Sequence, residues 1–254
     1  HQCIYCDSRS ECYQIADFAE IQVKVNALER LSDEIRRKRV KGTIGTGSMN
    51  DPYMPIEAER RLTRGALQII AAAKFPVHII TKSDLVLRDA DILQEIQRVY
   101  AAVSFTITSA NDALSKKLEP GAPVSSRRFA ALKMLNENGI TAGVTMMPIL
   151  PFLEDSDENI RALVRMAGEA GARYILPAFG LTLRDRQRAY FYEKLDRFFP
   201  GMSEQYRRRY GEKYWAESPR ARRLGEIFNE ECTRLDIASK MPFYQPESEQ
   251  LKLF

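Results

Sequence analysis

No stretch of the 254-residue chain approaches the ~20 consecutive apolar residues that cross a bilayer, and no secretory signal is visible. The expectation is a cytoplasmic protein with no membrane partner. Cysteine is scarce: Cys3, Cys6, Cys12 and Cys232 are the four, and three of them fall in the first twelve positions. A disulfide framework would spread its cysteines through a much smaller secreted chain, so the clustered trio reads as metal ligation. The second Cys-x-x-Cys pair that a zinc ribbon needs, roughly 15–20 residues on, is missing. So is a dinucleotide-binding Gly-x-Gly-x-x-Gly that opens a helix. Gly45-Thr46-Gly47 runs into Ser-Met-Asn-Asp-Pro, and that proline makes it a loop. No internal repeat or low-complexity linker interrupts the chain. The net charge of +4 permits a nucleic-acid partner without arguing for one.

What is present is an alternation of two periodicities. Helical spacing runs over Phe18–Lys38, with Ile21, Val25, Leu28, Leu31 and Ile35 three or four apart. It returns over Ile56–Lys74, Asp89–Val99, Ser125–Asn138 and Ser156–Ala170. Short runs rich in Val, Ile, Thr and Phe lie between, at Gly42–Gly47, Val77–Thr81, Ala102–Thr108, Thr141–Met147 and Tyr174–Leu176. Such alternation implies an α/β fold with parallel strands and right-handed crossover helices. A doubly wound sheet and a barrel both satisfy it. Beyond about residue 180 the chain reads as helices: two over Leu183–Tyr214 split at Pro200-Gly201, one over Pro219–Leu235, then a tail without periodicity. The expected organisation is a core over 1–180 and a helical extension over 181–254 packed on it.

The chain opens His1-Gln2-Cys3-Ile4-Tyr5-Cys6-Asp7. A Cys-x-x-Cys pair alone serves zinc, a redox dithiol or an iron–sulfur cluster. With the aromatic Tyr5 before the second cysteine, it resembles the end of the radical SAM cluster loop, Cys-x-x-x-Cys-x-Φ-Cys, where Φ is aromatic. Further along, Gly47-Ser48-Met49-Asn50-Asp51-Pro52-Tyr53, Ile80-Thr81-Lys82-Ser83, Phe105-Thr106-Ile107-Thr108 and Met147-Pro148-Ile149 resemble the strand ends of the spore photoproduct lyase-like branch.

The resemblance implies a partial (β/α)6 barrel whose first strand and first cluster cysteine precede His1. It makes Cys3 and Cys6 ligands of a [4Fe–4S] cluster that cleaves S-adenosyl-L-methionine reductively to a hydrogen-abstracting 5′-deoxyadenosyl radical. An external electron donor such as flavodoxin or ferredoxin would feed the cluster. By motif position, Lys82 and Thr106 resemble the residues that hold the methionyl carboxylate, and Asn50, beside Asp51, a polar contact to the same end. Tyr5 corresponds to an aromatic contact near adenine, and Met147 to one near the adenosyl group. Cys12 is not a ligand in this scheme, because a closed cluster could not bind the cofactor. The implied substrate class is nucleic acid, with lyase-like DNA repair as the family's example. Two departures count against thymine-dimer repair here: Ser48 stands where that enzyme carries a hydrogen-donating cysteine, and Asp7 follows the last cluster cysteine.

Each of these residues has a plainer reading. Lys82 suits a solvated loop, Thr106 a strand, Asn50-Asp51-Pro52 an ordinary turn, and Met147 a core. His78 reads as a satisfied core histidine, and Cys232 as a buried structural cysteine. Arg207-Arg208-Arg209 and Arg220–Arg223, interleaved with Tyr206, Tyr210 and Tyr214, could track phosphates or form a solvated face. The competing function is a nucleic-acid-interaction module whose Cys3/Cys6 pair binds zinc.

Overall fold

The computed structural model describes residues 1–246. Five strands, β1 (Ile44–Thr46), β2 (Val77–Thr81), β3 (Ala101–Thr106), β4 (Thr141–Met146) and β5 (Ile175–Pro177), form one parallel sheet in the order β1-β2-β3-β4-β5. Neighbours in sequence are neighbours in space throughout. A doubly wound sheet reverses its strand order at a switch point; this one does not, so the alternation resolves into a barrel wall. The crossovers carry α2 (Glu57–Arg60), α3 (Leu62–Ala72), α4 (Ala90–Gln97), α5 (Asp112–Leu118), α6 (Ser125–Glu137) and α7 (Asp157–Glu169), and α1 (Ala27–Arg37) precedes β1.

The two faces of the wall differ in chemistry. Val77, Ile79, Val103, Phe105, Ala142 and Val144 point outward and share one apolar core with Leu67, Ile70, Leu93, Ile96, Leu132, Leu135, Ile160 and Leu163 of the helices. Each of the Val, Ile, Leu and Phe side chains stabilises the fold by about 1.5–3 kcal/mol on full burial. The intervening positions face inward, and there polar side chains lie among Ile80, Ala102 and Gly143. His78 Nε2 lies 2.8 Å from Ser104 Oγ, and Ser104 Oγ lies 2.7 Å from the hydroxyl of Tyr174. Thr106 and Thr145 share a hydrogen bond of 3.0 Å across β3 and β4. Burial lowers the pKa of His78, which favours the neutral imidazole. His78 therefore sits half-buried with a hydroxyl partner, as the sequence reading held.

After β5 the chain adds β6 (Gly180–Thr182), α8 (Asp185–Phe198), α9 (Met202–Tyr210), β7 (Trp215–Glu217) and α10 (Ala221–Arg234). β6 and β7 pair antiparallel, so this segment is not purely helical. Their three-residue length gives no readable period. Leu224, Ile227, Phe228 and Cys232 of α10 join the core of the wall. A second apolar cluster unites Cys3, Ile4 and Tyr5 with Leu118, Leu150, Leu181, Leu183, Phe191, Leu195 and Tyr206. The cysteine segment is thus packed into the body of the protein. The tail after residue 246 lies outside the described residues.

Three helical limits differ from the sequence reading. The helix expected from Phe18 begins only at Ala27; Ile21 and Val25 stand exposed before it. The run Ile56–Lys74 is two helices, broken at Arg61, whose φ is +52°. The short α5 was not foreseen, although Asn111 caps it by accepting from the amides of Ala113 (2.9 Å) and Leu114 (3.0 Å).

The turn after β1 depends on Gly47. Its φ is +91°, and a Cβ there would lie 2.0 Å from the carbonyl oxygen of Ile80 on the neighbouring strand. Only glycine fits both the backbone and the space. Gly47→Ala is expected to destabilise the protein by more than about 1 kcal/mol, read as a lower urea midpoint at unchanged slope. An unchanged midpoint would contradict this close approach.

Candidate functional site

The C-terminal ends of β1 and β2 are joined by one carboxylate. Asp51 Oδ1 accepts from the Thr81 hydroxyl (2.6 Å) and the Tyr53 amide (2.9 Å), and Oδ2 accepts from the Lys82 amide (2.7 Å). His1 Nε2 lies 3.0 Å from Oδ2. Hydrogen bonds to a charged group contribute about 1.5–3 kcal/mol each. This set fixes the loop Gly47–Tyr53 against the strand end that carries Lys82.

The cysteine segment is docked by main chain on one side and by side chains on the other. The Ile4 amide donates to the Leu118 carbonyl (2.9 Å) and the Gly121 amide to the His1 carbonyl (2.9 Å). A Cβ on Gly121 would lie 2.6 Å from that His1 oxygen, so the approach needs glycine. Beyond the cysteines, Asp7 accepts from Thr182 (2.7 Å) and Tyr13 (3.0 Å) and pairs with Arg184 (3.1 Å). Ser10 and the Glu11 amide both donate to Asp185 at the start of α8 (2.9 and 3.1 Å). The Arg9 guanidinium lies between the rings of Phe18 (3.9 Å) and Tyr190 (3.5 Å). Together these contacts hold a segment whose regular structure is limited to two 3-10 turns, Asp7–Arg9 and Glu11–Tyr13.

Cys3 is buried and Cys6 half-buried, with the Cys6 amide donating to the Cys3 carbonyl (3.3 Å) in a tight turn. Burial pushes the Cys3 thiol up to about 12, against the pull of the neighbouring Lys82 ammonium. Burial opposes the Lys82 charge, but Cys3, Glu119 and Asp51 around it outweigh that and hold its pKa above the ordinary lysine value. Among the described residues, no three His, Cys, Asp or Glu side chains converge as a metal site. Two adjacent thiols beside a cation fit two corners of an incompletely ligated cluster better than a closed four-ligand zinc site.

The sequence-derived residues are gathered unevenly. Cys3, Tyr5, Asp51 and Lys82 come together, with the Lys82 ammonium 5.8 Å from the centroid of the Tyr5 ring. Thr106 is buried on the inner face and shares a hydrogen bond with Thr145. Two hydroxyls sharing one hydrogen bond keep one proton free to offer a ligand. Asn50 and Ser48 are exposed on the β1 loop, and Met147 is exposed just after β4. Cys12 is at the surface, where its sulfur meets Arg184 Nη1 (3.1 Å) and Ser10 Oγ (3.2 Å).

Sequence reasoning missed two buried acids. Glu119 follows α5 and faces Tyr5, Lys82 and Arg128. Glu154 accepts from the Thr108 hydroxyl (2.7 Å) and the Leu150 amide (3.0 Å). For Glu154 the one signal was an acid just before the helix expected from Ser156; Glu119 follows the unforeseen α5 and had none.

Burial, helped by the charge of Glu119, raises the Glu154 carboxyl from 4.5 to about 8 despite those two donors. The folded protein thus keeps a proton on Glu154 where the unfolded chain has lost it. Its contribution to stability is fully present below about 4.5 and declines as pH rises from there toward about 8. Wild type should lose thermal stability across that window, and Glu154→Gln should show a flatter profile. Identical pH profiles would contradict the assignment.

With this geometry in hand, the chain was compared with known proteins. The Radical SAM superfamily profile matches residues 1–166. An uncharacterised protein of Mycobacterium tuberculosis is 31% identical over 219 residues, covering 83% of this chain and 64% of the relative. An uncharacterised protein of Methanocaldococcus jannaschii is 37% identical over 155 residues, covering 61% of this chain and 58% of the relative. A Pseudomonas phage M6 protein named radical SAM Nalpha-GlyT isomerase is 23% identical over 177 residues, covering 70% of this chain and 36% of the relative. The chain therefore spans less than two thirds of the length of these relatives. Among solved structures, spore photoproduct lyase complexed with dinucleoside spore photoproduct superimposes with a TM-score of 0.69 at 16% identity, covering 92% of this chain and 70% of that one. That likeness shows the fold, a partial radical SAM barrel. Fold and sequence profile agree, and the chain belongs to the radical SAM superfamily.

Proposed function

We propose that Cys3 and Cys6 hold two corners of a [4Fe–4S] cluster and that Lys82 and Thr106 receive the carboxylate of S-adenosyl-L-methionine. The family pattern takes a third thiolate beside these two. Residues 1–180 would form the catalytic core and 181–254 an extension packed on it, in a cytoplasmic protein supplied with electrons by a flavodoxin or ferredoxin. When bound, the cluster supplies the electron that cleaves the cofactor reductively to the hydrogen-abstracting 5′-deoxyadenosyl radical.

The observation that carries this reading is the state of Lys82. Its ammonium lies 3.9 Å from Glu119 Oε1, beyond hydrogen-bond length, so its donors remain available. Beside it stand the Cys3 thiol and the Tyr5 ring, and the inner face of the wall presents the hydroxyls of Thr106 and Thr145. A cation and a hydroxyl are the partners a carboxylate needs. Asp51, with both oxygens engaged by protein donors, orients the Lys82 backbone and so supports the site from behind. Asn50 and Met147, exposed on flanking loops, are the residues assigned to the amino-acid and adenosyl ends of the cofactor.

For the substrate, the class to screen first is nucleic acid, by likeness to a lyase whose structure holds a dinucleoside photoproduct. Four arginines of the two basic runs are paired with acids of this chain. Arg208 pairs with Glu204 (2.9 Å), Arg222 with Glu226 (3.2 Å), and Arg220 and Arg223 with Asp157. With serine at position 48, a lyase-like reaction here would need another hydrogen donor.

The protein with its preceding residues, reconstituted anaerobically with iron and sulfide and reduced with dithionite, should convert S-adenosylmethionine to 5′-deoxyadenosine. The Cys3→Ala/Cys6→Ala variant should not. Lys82→Met should weaken S-adenosylmethionine binding by a charged hydrogen bond of about 1.5–3 kcal/mol, roughly tenfold to a hundredfold in affinity. Colourless protein with stoichiometric zinc and no 5′-deoxyadenosine would favour the zinc-bound module instead.

A further inference from the structure

Four charged or polar side chains from four different segments meet beneath the cysteine turn, and none of them is exposed. The Tyr5 hydroxyl donates to Glu119 Oε1, the same oxygen that faces Lys82 Nζ. The other oxygen, Oε2, takes Arg128 Nη1 at 2.5 Å. Arg128 is fully buried on α6 and also donates to the carbonyls of Thr106 (2.8 Å) and Pro123 (2.7 Å). Glu119 thus stands between the cysteine turn, the end of β2 and, through Arg128, the end of β3.

A carboxylate is costly to bury and persists in a core only where its partners compensate it. One guanidinium would neutralise Glu119. The additional engagement with Tyr5 and Lys82 therefore does something besides neutralisation. Tyr5 is the residue between the two cysteines, so its bond sets the depth at which the turn lies. Lys82 is drawn toward the same oxygen without being hydrogen-bonded by it. The Lys82 ammonium is thereby held among the Glu119 and Asp51 carboxylates and the Cys3 thiol.

We propose that Glu119 is the positioning residue of the cysteine turn: through Tyr5 it fixes the depth of Cys3, and through Lys82 it sets the charge beside it. The proposal rests on the reading of Cys3 and Cys6 as cluster ligands, and its first test needs no cluster. In cluster-free protein, Cys3 is buried while Cys12 is exposed and serves as an internal reference. Alkylation by iodoacetamide, followed residue by residue by mass spectrometry, should leave Cys3 protected in wild type. Tyr5→Phe, which keeps the Glu119–Arg128 pair, should speed Cys3 modification at least fivefold relative to Cys12. Glu119→Ala/Arg128→Met, which removes both members of the buried pair and so avoids an uncompensated charge, should do the same in protein whose circular dichroism shows it folded. Cys3 as protected in both variants as in wild type would overturn the proposal.

The second test separates positioning from mere packing. Glu119→Gln removes one negative charge beside the thiols. In cluster-loaded protein it should shift the reduction potential to a more positive value, since the reduced cluster carries the extra electron. A potential equal to that of wild type would overturn the assignment of the Glu119 charge to this site. Failure of wild type itself to load a cluster would count against the proposed function, and the alkylation result would stand apart from it.

Discussion

A segment with three thiols, two 3-10 turns and no periodic apolar pattern cannot fold on its own, so its geometry is borrowed from the surfaces that clasp it. Main-chain hydrogen bonds to Leu118 and Gly121 hold one side, and Asp7, Arg9 and Ser10 hold the other against β6 and α8. Everything proposed for the site depends on this clasp. It places Cys3 in an apolar cluster and brings Tyr5 over Lys82. It also explains why the residues after β5 matter to a site built mainly from the first half of the chain. Leu181, Leu183, Phe191 and Leu195 form the bed on which the cysteine turn lies.

The second constraint is the asymmetry of the sheet. Parallel sheets in doubly covered folds are apolar on both faces. Here the helix-facing side is the apolar one, and the inner side sets polar side chains among Ile80, Ala102 and Gly143. The inner side carries His78, Ser104, Thr106, Thr145 and Tyr174, each with a polar partner. A polar inner wall costs stability unless its groups are satisfied. Retaining it makes sense where a polar ligand must be received. The free proton of the Thr106–Thr145 pair and the unspent donors of Lys82 lie at the same end of that wall, as expected for a barrel that works at its C-terminal strand ends.

Much of this was legible in the residues. Val77–Thr81 was read at its observed limits, and the alternation of helix and strand gave the parallel sheet. The cysteine spacing and the strand-end motifs by themselves resemble those of the superfamily. The misreadings have physical causes. Ile21 and Val25 match a helical period but have nothing to pack against, and the helix waits for Ala27. Gly180–Thr182 and Trp215–Glu217 are too short to show alternation and exist because they pair with each other. Glu119, Arg128 and Glu154 were invisible as a group. Their meaning comes from burial and from contacts between segments far apart in sequence, as with Tyr5 and Glu119.

The central claim is that the cysteine turn and the end of β2 together form one site for an iron–sulfur cluster and S-adenosylmethionine. The most direct measurement is the Mössbauer spectrum of protein loaded with 57Fe, recorded before and after S-adenosylmethionine is added. The account predicts a four-iron cluster in which one iron site changes its isomer shift when the cofactor binds, and no such change in Lys82→Met at the same cofactor concentration. A cluster indifferent to the cofactor in the unaltered protein, or iron bound without sulfide, would contradict it.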